Sequence, residues 1–370
     1  MIEPRDEADL AEAVRAAAGP LVVQGGGTRA MGAPVAGEVL SVAGLSGIVA
    51  YEPGALTLVA RAGTPLAEVE AALAAEGQRL AFEPMDHRGL LGTDGVPTLG
   101  GVVAANVSGP RRVQVGACRD FCLGVRFVDG TGAVVRNGGR VMKNVTGYDL
   151  VRLMAGSWGT LGVLSEVALK VLPAPGAAAT LVLRGLDDAA AVAAMARALG
   201  SPYEVSGAAH WPGEGTFLRI EGLAASVAYR AGRLAEMFPG AEVENDAGAV
   251  AARWRRVRDV APFHARAGDV WRLSLRARDA AGIAARTGGQ VLYDWGGGLV
   301  WVLVAEGCDL RARLGAFAGH ATLVRAAPET RARIAPFPPE PAAVAALGHG
   351  LRAKFDPRGI LNPGLMGAAP

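Results

Sequence analysis

Two glycine-rich segments in the first half of the chain constrain its fold more than any other feature. One is Gln24-Gly25-Gly26-Gly27-Thr28-Arg29; the other is Pro97-Thr98-Leu99-Gly100-Gly101-Val102-Val103-Ala104-Ala105-Asn106-Val107-Ser108-Gly109. Each follows or flanks a short apolar run. Glycine has no Cβ to hold an anion away, so backbone N–H groups in such loops can close around a pyrophosphate. One loop alone would read as an ordinary turn in a chain with 52 glycines. The pair points to a dinucleotide cofactor.

The details favour FAD over NAD. Gly25, Gly27 and Ala30 formally satisfy the G-x-G-x-x-G/A fingerprint, with Glu52 about 20 residues further on. A nicotinamide-binding turn, however, passes directly into a helix whose N-terminus receives the pyrophosphate. Gly32 and Pro34 interrupt any helix here.

Composition narrows the class. With 370 residues, 51% hydrophobic and 19% charged, the chain is folded and large enough for two domains. A net charge of +2 is too small to argue for a nucleic-acid partner. Cys118, Cys122 and Cys308 form neither a disulfide framework nor an iron–sulfur or zinc spacing, so no metal site is expected. Cys118 and Cys122 read as small apolar residues near a strand. The acidic start of the chain lacks an apolar signal region, and no stretch reaches the ~20 apolar residues of a membrane span. The expectation is a cytoplasmic protein with no membrane span, with room for peripheral docking at the inner face of the cell membrane.

Patterning then predicts the elements. Residues 6–18 form a helix with acids in its first turn, and residues 21–24 a buried strand entering the first loop. Strands follow at 40–42 and 56–60. Thr64 caps a helix with Pro65 at its first position, running to about Glu76 and ended by Gly77. Asp129-Gly130-Thr131-Gly132 turns between two strands, a short helix covers about 148–155, and 163–171 is a closing strand. Pro173-Ala174-Pro175-Gly176 is the clearest boundary. Beyond it, strands alternate with alanine-rich helices, which predicts an antiparallel sheet with helices on one face and no internal repeat. A last helix, 342–355, precedes two tight turns. The expected domains are residues 1–173, 177–335 and 340–370, the last packing back toward the first.

The glycine segments recur with others in a familiar order and spacing: Gly116-Ala117-Cys118-Arg119-Asp120, Leu123-Gly124, Val141-Met142-Lys143-Asn144-Val145-Thr146-Gly147-Tyr148-Asp149-Leu150 and Gly159-Thr160-Leu161-Gly162-Val163. Together they resemble the FAD-binding domain of the vanillyl-alcohol oxidase and p-cresol methylhydroxylase superfamily. The closing Phe355-Asp356-Pro357-Arg358-Gly359-Ile360-Leu361-Asn362-Pro363-Gly364 resembles the signature of its 2-hydroxy-acid dehydrogenase branch. Within that branch the chain looks most like the FAD-binding E subunits of glycolate oxidases. The resemblance is strong over residues 1–173 and the last ~25 residues, and weak between them. It implies an α+β fold: a two-part FAD-binding domain of the p-cresol methylhydroxylase type with a reduced antiparallel α+β cap.

The resemblance also implies site residues. Gly25, Gly26, Gly27, Thr28 and Arg29 would form the pyrophosphate loop. Thr98, Gly100, Gly101 and Asn106 would hold the flavin side, with Ser108 and Gly109 close by. Gly116, Arg119 and Gly124 would line the cofactor channel, and Gly162 with Val163 would meet the adenosine end. Either arginine alone reads equally as a surface ion pair. Lys143, Asn144, Tyr148 and Asp149 read as a helix cap and loop anchor. With no histidine or cysteine in the first loop, FAD is expected to be non-covalent.

Oxidation of a 2-hydroxy acid also needs a base for the hydroxyl proton and a cation for the carboxylate. No residue is assigned to either task. The five histidines, His87, His210, His264, His320 and His349, show none of the paired spacings of the branch's metal-binding relatives. His210, and His264 with Arg272 and Arg276, read as structural or exposed. The implied assembly adds a larger catalytic FAD subunit and an iron–sulfur subunit, with a small 2-hydroxy acid as substrate. Two alternatives stay open: a self-sufficient FAD-dependent 2-hydroxy-acid dehydrogenase, and a non-catalytic assembly subunit that keeps the fold.

Overall fold

A computed structural model describes residues 1–140 and 147–367. The chain divides into two compact units, one of Met1–Val107, Ala117–Ala174 and Pro339–Pro370, the other of Ser108–Gly116 and Pro175–Pro338.

The first unit has two sheets of consequence. Leu21–Gln24 and Glu38–Ser41 pair in parallel with no helix between them. Single bridges add Ile2 beside Leu40 and Leu361 beside Leu21, also in parallel. The helix Glu7–Ala16 buries Leu10, Ala11 and Val14 against this sheet's apolar residues, together with Val128, Val163, Ile360 and Leu361. Asp6 caps its start by accepting from the Asp9 amide at 2.9 Å. Arg358 covers its end, donating to the carbonyls of Val14, Arg15 and Ala17. A cation on the last carbonyls satisfies them and complements the helix dipole.

The second sheet has five antiparallel strands in the order Ile48–Glu52, Thr57–Arg61, Val163–Lys170, Cys122–Val128, Val134–Gly138. The Asp129 turn sits where the pattern places it: its carboxylate accepts from the amides of Thr131 and Ala133. Thr64, by contrast, does not cap the following helix. That helix is Leu66–Ala75, with Pro65 outside it as the N-cap residue. The Thr64 hydroxyl instead donates to the Arg61 carbonyl at 2.7 Å, a local turn bond that competes with capping. Gly77 does end the helix, at φ +62°.

The second unit is one eight-stranded antiparallel sheet. Its order runs Glu242–Glu244, Ala177–Leu183, Gly215–Gly222, Gly207–Trp211, Gln290–Asp294, Leu299–Val304, Asp269–Leu275, Gly319–Arg325. This corrects the expectation of no internal repeat. Each half reads strand–helix–strand–strand–helix–strand, and each has the spatial order 4-1-3-2 of a ferredoxin-like unit. The halves meet through their second strands at one residue pair, His210 and Tyr293. The repeat lies in element order and strand pairing, which local residue patterning along the chain does not reveal.

Helices on one face is also corrected. Asp188–Leu199, Ala224–Met237, Ala280–Thr287 and Leu310–Leu314 share a core on one face. The linking helix Ala247–Arg258 packs Val250, Trp254 and Val257 on Val182, Ala209 and Phe217, which point the other way. Residues adjacent along a strand face opposite sides, so Leu181 and Val182 serve different cores.

Candidate cofactor site

The two glycine segments abut. A Cβ on Gly26 would lie 1.7 Å from the Val96 carbonyl oxygen, and one on Gly95 equally close to the Gly26 oxygen. A Cβ on Gly25 would meet the Thr98 hydroxyl at 2.2 Å. Backbone stacks on backbone here, at a distance only glycine allows. Gly27 adds a left-handed φ of +70° with open space around it.

The second segment is less a loop than expected. Leu99–Ala104 is helical and Thr98 is its cap, accepting from the Gly101 amide at 3.3 Å. The Leu99 amide donates to Thr64 and the Gly100 amide to Ala62. Gly100 is glycine because a Cβ would press on Ala62 at 2.6 Å. The first three amides of this helix are therefore satisfied by the chain itself.

The first loop differs. The amides of Gly26, Gly27 and Thr28 donate to no acceptor among the described residues. Beside them Arg29 lies close to Gly101, where a Cβ would sit 3.1 Å from Nη1. Its Nε and Nη2 are sealed from solvent and make no hydrogen bond among the described residues. Burial pulls this guanidinium down to about 10, with the Asp86 carboxylate pulling it back up. Arg29 is thus no surface ion pair. A set of unbonded amides with a desolvated cation is the donor set a phosphate oxyanion needs, and a bound FAD pyrophosphate fits it.

The remaining predicted residues fall in several places. Asn106, at φ +48°, accepts from the Arg119 amide at 3.0 Å, which holds the Cys118–Phe121 turn of helix. The Arg119 side chain itself is half exposed, 3.9 Å from Asp120. Gly124 lets the Gly139 backbone approach, where a Cβ would stand 2.6 Å from its oxygen. Gly162 does the same for the Phe127 ring, and Val163 starts a buried strand. Ser108, Gly109 and Gly116 belong to the second unit, where Gly109 accepts from the Trp295 indole at 3.0 Å. Asp149 caps Leu150–Met154 by accepting from the Arg152 amide, and Tyr148 is exposed. Lys143 and Asn144 lie outside the described residues.

Two residues escaped sequence reasoning. Asn362 accepts from the Val23 amide at 2.8 Å and donates to the Trp158 carbonyl at 2.8 Å, tying the strand before the first loop to the Gly156–Gly159 turn region. Its Asn-Pro-Gly context signalled a turn, not a tether. The Ser157 hydroxyl is buried without a hydrogen-bond partner. His210 bonds Thr216 at 2.9 Å, and His264 bonds the Asp259 carbonyl at 2.7 Å.

With that geometry in view, comparison with known proteins decides the family. A family model described as an FAD binding domain matches residues 1–138. Over 350 residues the chain is 40% identical to glycolate oxidase subunit GlcE of Escherichia coli (strain K12), covering 94% of this chain and 92% of that one. The chain belongs to the GlcE family. Glycolate oxidase subunit GlcD of Bacillus subtilis (strain 168) is 32% identical over 166 residues, 44% of this chain and 34% of its own. The D-lactate dehydrogenase of Anaerostipes hadrus is 33% identical over 174 residues, 46% of this chain and 35% of its own. A solved structure of alkyldihydroxyacetonephosphate synthase superposes with a TM-score of 0.68 at 17% identity, covering 98% of this chain and 76% of that one. That likeness is one of fold. GlcE membership makes this an FAD-binding oxidoreductase chain of α+β architecture.

Proposed function

We propose that this chain is the FAD-binding E subunit of a glycolate oxidase assembly. The assembly oxidises glycolate to glyoxylate and passes electrons to an acceptor other than a nicotinamide. The observation that carries this reading is the match to GlcE along nearly all of both chains. The partners are a larger catalytic FAD subunit, of which the GlcD relative is the type, and an iron–sulfur subunit. The setting is cytoplasmic, with peripheral association at the inner face of the membrane through the assembly; among the described residues no helix is long and apolar enough to cross a membrane.

In this reading Gly25, Gly26, Gly27, Thr28 and Arg29 hold the pyrophosphate. Thr98, Gly101 and Asn106 support the flavin side. Arg119 and Gly124 line the channel, and Gly162 and Val163 meet the adenosine end. Gly100 contributes by letting its helix approach Ala62. Bound FAD supplies a hydride acceptor. The residues' own work is to neutralise phosphate charge at Arg29, donate from the unsatisfied amides and keep the loop closely packed.

A visible spectrum of the purified chain, before and after anaerobic glycolate, tests this. Flavin bands that persist after glycolate match a cofactor-bearing subunit that needs its partner. Bands that bleach would favour a self-sufficient dehydrogenase. Absence of flavin would favour a subunit that keeps only the fold.

A further inference from the structure

Inward-turned arginines of the second unit are held by acceptors. Arg219 bonds Ser206, Arg230 the carbonyls of Tyr203 and Glu221, Arg311 the Ala321 carbonyl, and Arg325 that of Phe263. Arg272 departs from this pattern. It lies on the Asp269–Leu275 strand, paired across from Thr322 on one side and Trp301 on the other. Its guanidinium makes no hydrogen bond and no ion pair among the described residues. It stands 5.1 Å from the centre of the Trp295 ring, and Arg112 stands over the same ring at 4.6 Å. The Trp295 indole is held by its bond to the Gly109 carbonyl, and both guanidiniums lie against its ring.

We infer that Arg272, with Arg112 at the same Trp295 ring, forms a binding site for a small carboxylate. The inference rests on the glycolate reading for which carboxylate is meant. Three features choose the ligand class. A free guanidinium fork matches a carboxylate in two parallel hydrogen bonds. The neighbouring Arg112 adds positive field at Arg272, which favours an anionic ligand there. His320 adds no further charge, because burial and the neighbouring Arg272 both favour its neutral ring. Burial and Arg112 together lower Arg272 to about 10, which still leaves it protonated at neutral pH.

The test is calorimetric titration of the purified full chain with glycolate, alongside ethylene glycol, which keeps the hydroxyls and lacks the carboxylate. Saturable binding of glycolate alone is expected, weakened roughly tenfold or more in Arg272→Gln. Equal affinity in wild type and Arg272→Gln, or no saturable binding by the wild type, would overturn the site. A readout needing no variant is phenylglyoxal modification of the wild type with peptide mapping. Glycolate should protect Arg272 from the reagent; equal modification with and without glycolate counts against the site. The flavin spectrum separates the two readings. A yellow chain whose glycolate binding ignores Arg272 sinks this inference and leaves the subunit reading standing. Arg272-dependent binding by a chain that carries no flavin supports the site and overturns the cofactor reading.

Discussion

Arg219 and Arg29 both turn a guanidinium inward, and their surroundings could hardly differ more. Arg219 sits with Arg111 around one carboxylate, Glu221, at side-chain exposures of 3%, 4% and 9%. Arg111 grips that carboxylate with two bonds, of 2.6 and 2.9 Å, and Arg219 adds bonds to Ser206. Arg29 lies among glycine backbone with two nitrogens sealed and unbonded. A buried cation with its partners built in is part of the framework. One left unsatisfied is costly to bury, and a bound anion offsets that cost.

Breaking the paired cluster gives the largest expected effect. Glu221→Ala leaves two buried guanidiniums without their carboxylate and should lower stability by about 3–5 kcal/mol, read by urea denaturation. A loss below about 1 kcal/mol would mean that this cluster is no more structural than Arg29.

The glycine stack comes next. Gly26→Ala forces a Cβ into the Val96 carbonyl and should cost about 3 kcal/mol with loss of flavin, whereas Gly27→Ala, in open space at positive φ, should cost about 1 kcal/mol. Equal stabilities for the two variants would show that the stack tolerates a shift.

Arg29→Met sharpens the comparison from the other side. Flavin affinity should fall roughly tenfold by equilibrium dialysis, while the stability of the flavin-free chain stays within about 1 kcal/mol of wild type. Destabilisation on the scale of Glu221→Ala would make Arg29 a framework residue.

The smallest effect is a pH dependence at the seam of the second unit. His210 and Tyr293 pair there, and both face Asp188: the tyrosine hydroxyl donates to it at 2.7 Å, and His210 Nε2 lies 3.4 Å away. Burial lowers the His210 pKa below its ordinary 6.5, against the pull of Asp188. The unfolded chain therefore takes up this proton first. Stability present above pH 6.5 falls as pH drops through that value, and levels off below the folded pKa. Denaturation midpoints measured from pH 8 to 5.5 should decline, and less so in His210→Gln; identical profiles would place the titrating group elsewhere.

Local signals located much of this molecule. Asp149 and the Asp129 turn could be read from the chain because capping and turn chemistry act over three or four residues. The close packing of the glycine segments was legible for the same reason. Thr64 was misread because a hydroxyl has two local uses, a cap or a turn, and the strand before it selected the turn. Tertiary structure alone decided which glycines face open space and which face a neighbour. Gly100 and Gly27 look alike in sequence, yet one admits Ala62 and the other opens outward. It also decided the paired halves of the second sheet, the Asn362 tether 339 residues from Val23, and the isolation of Arg272. The sequence determines backbone preference and apolar period residue by residue. Whether a buried charge meets its partner depends on chain segments far apart in sequence, and only their packing brings the two together or keeps them apart.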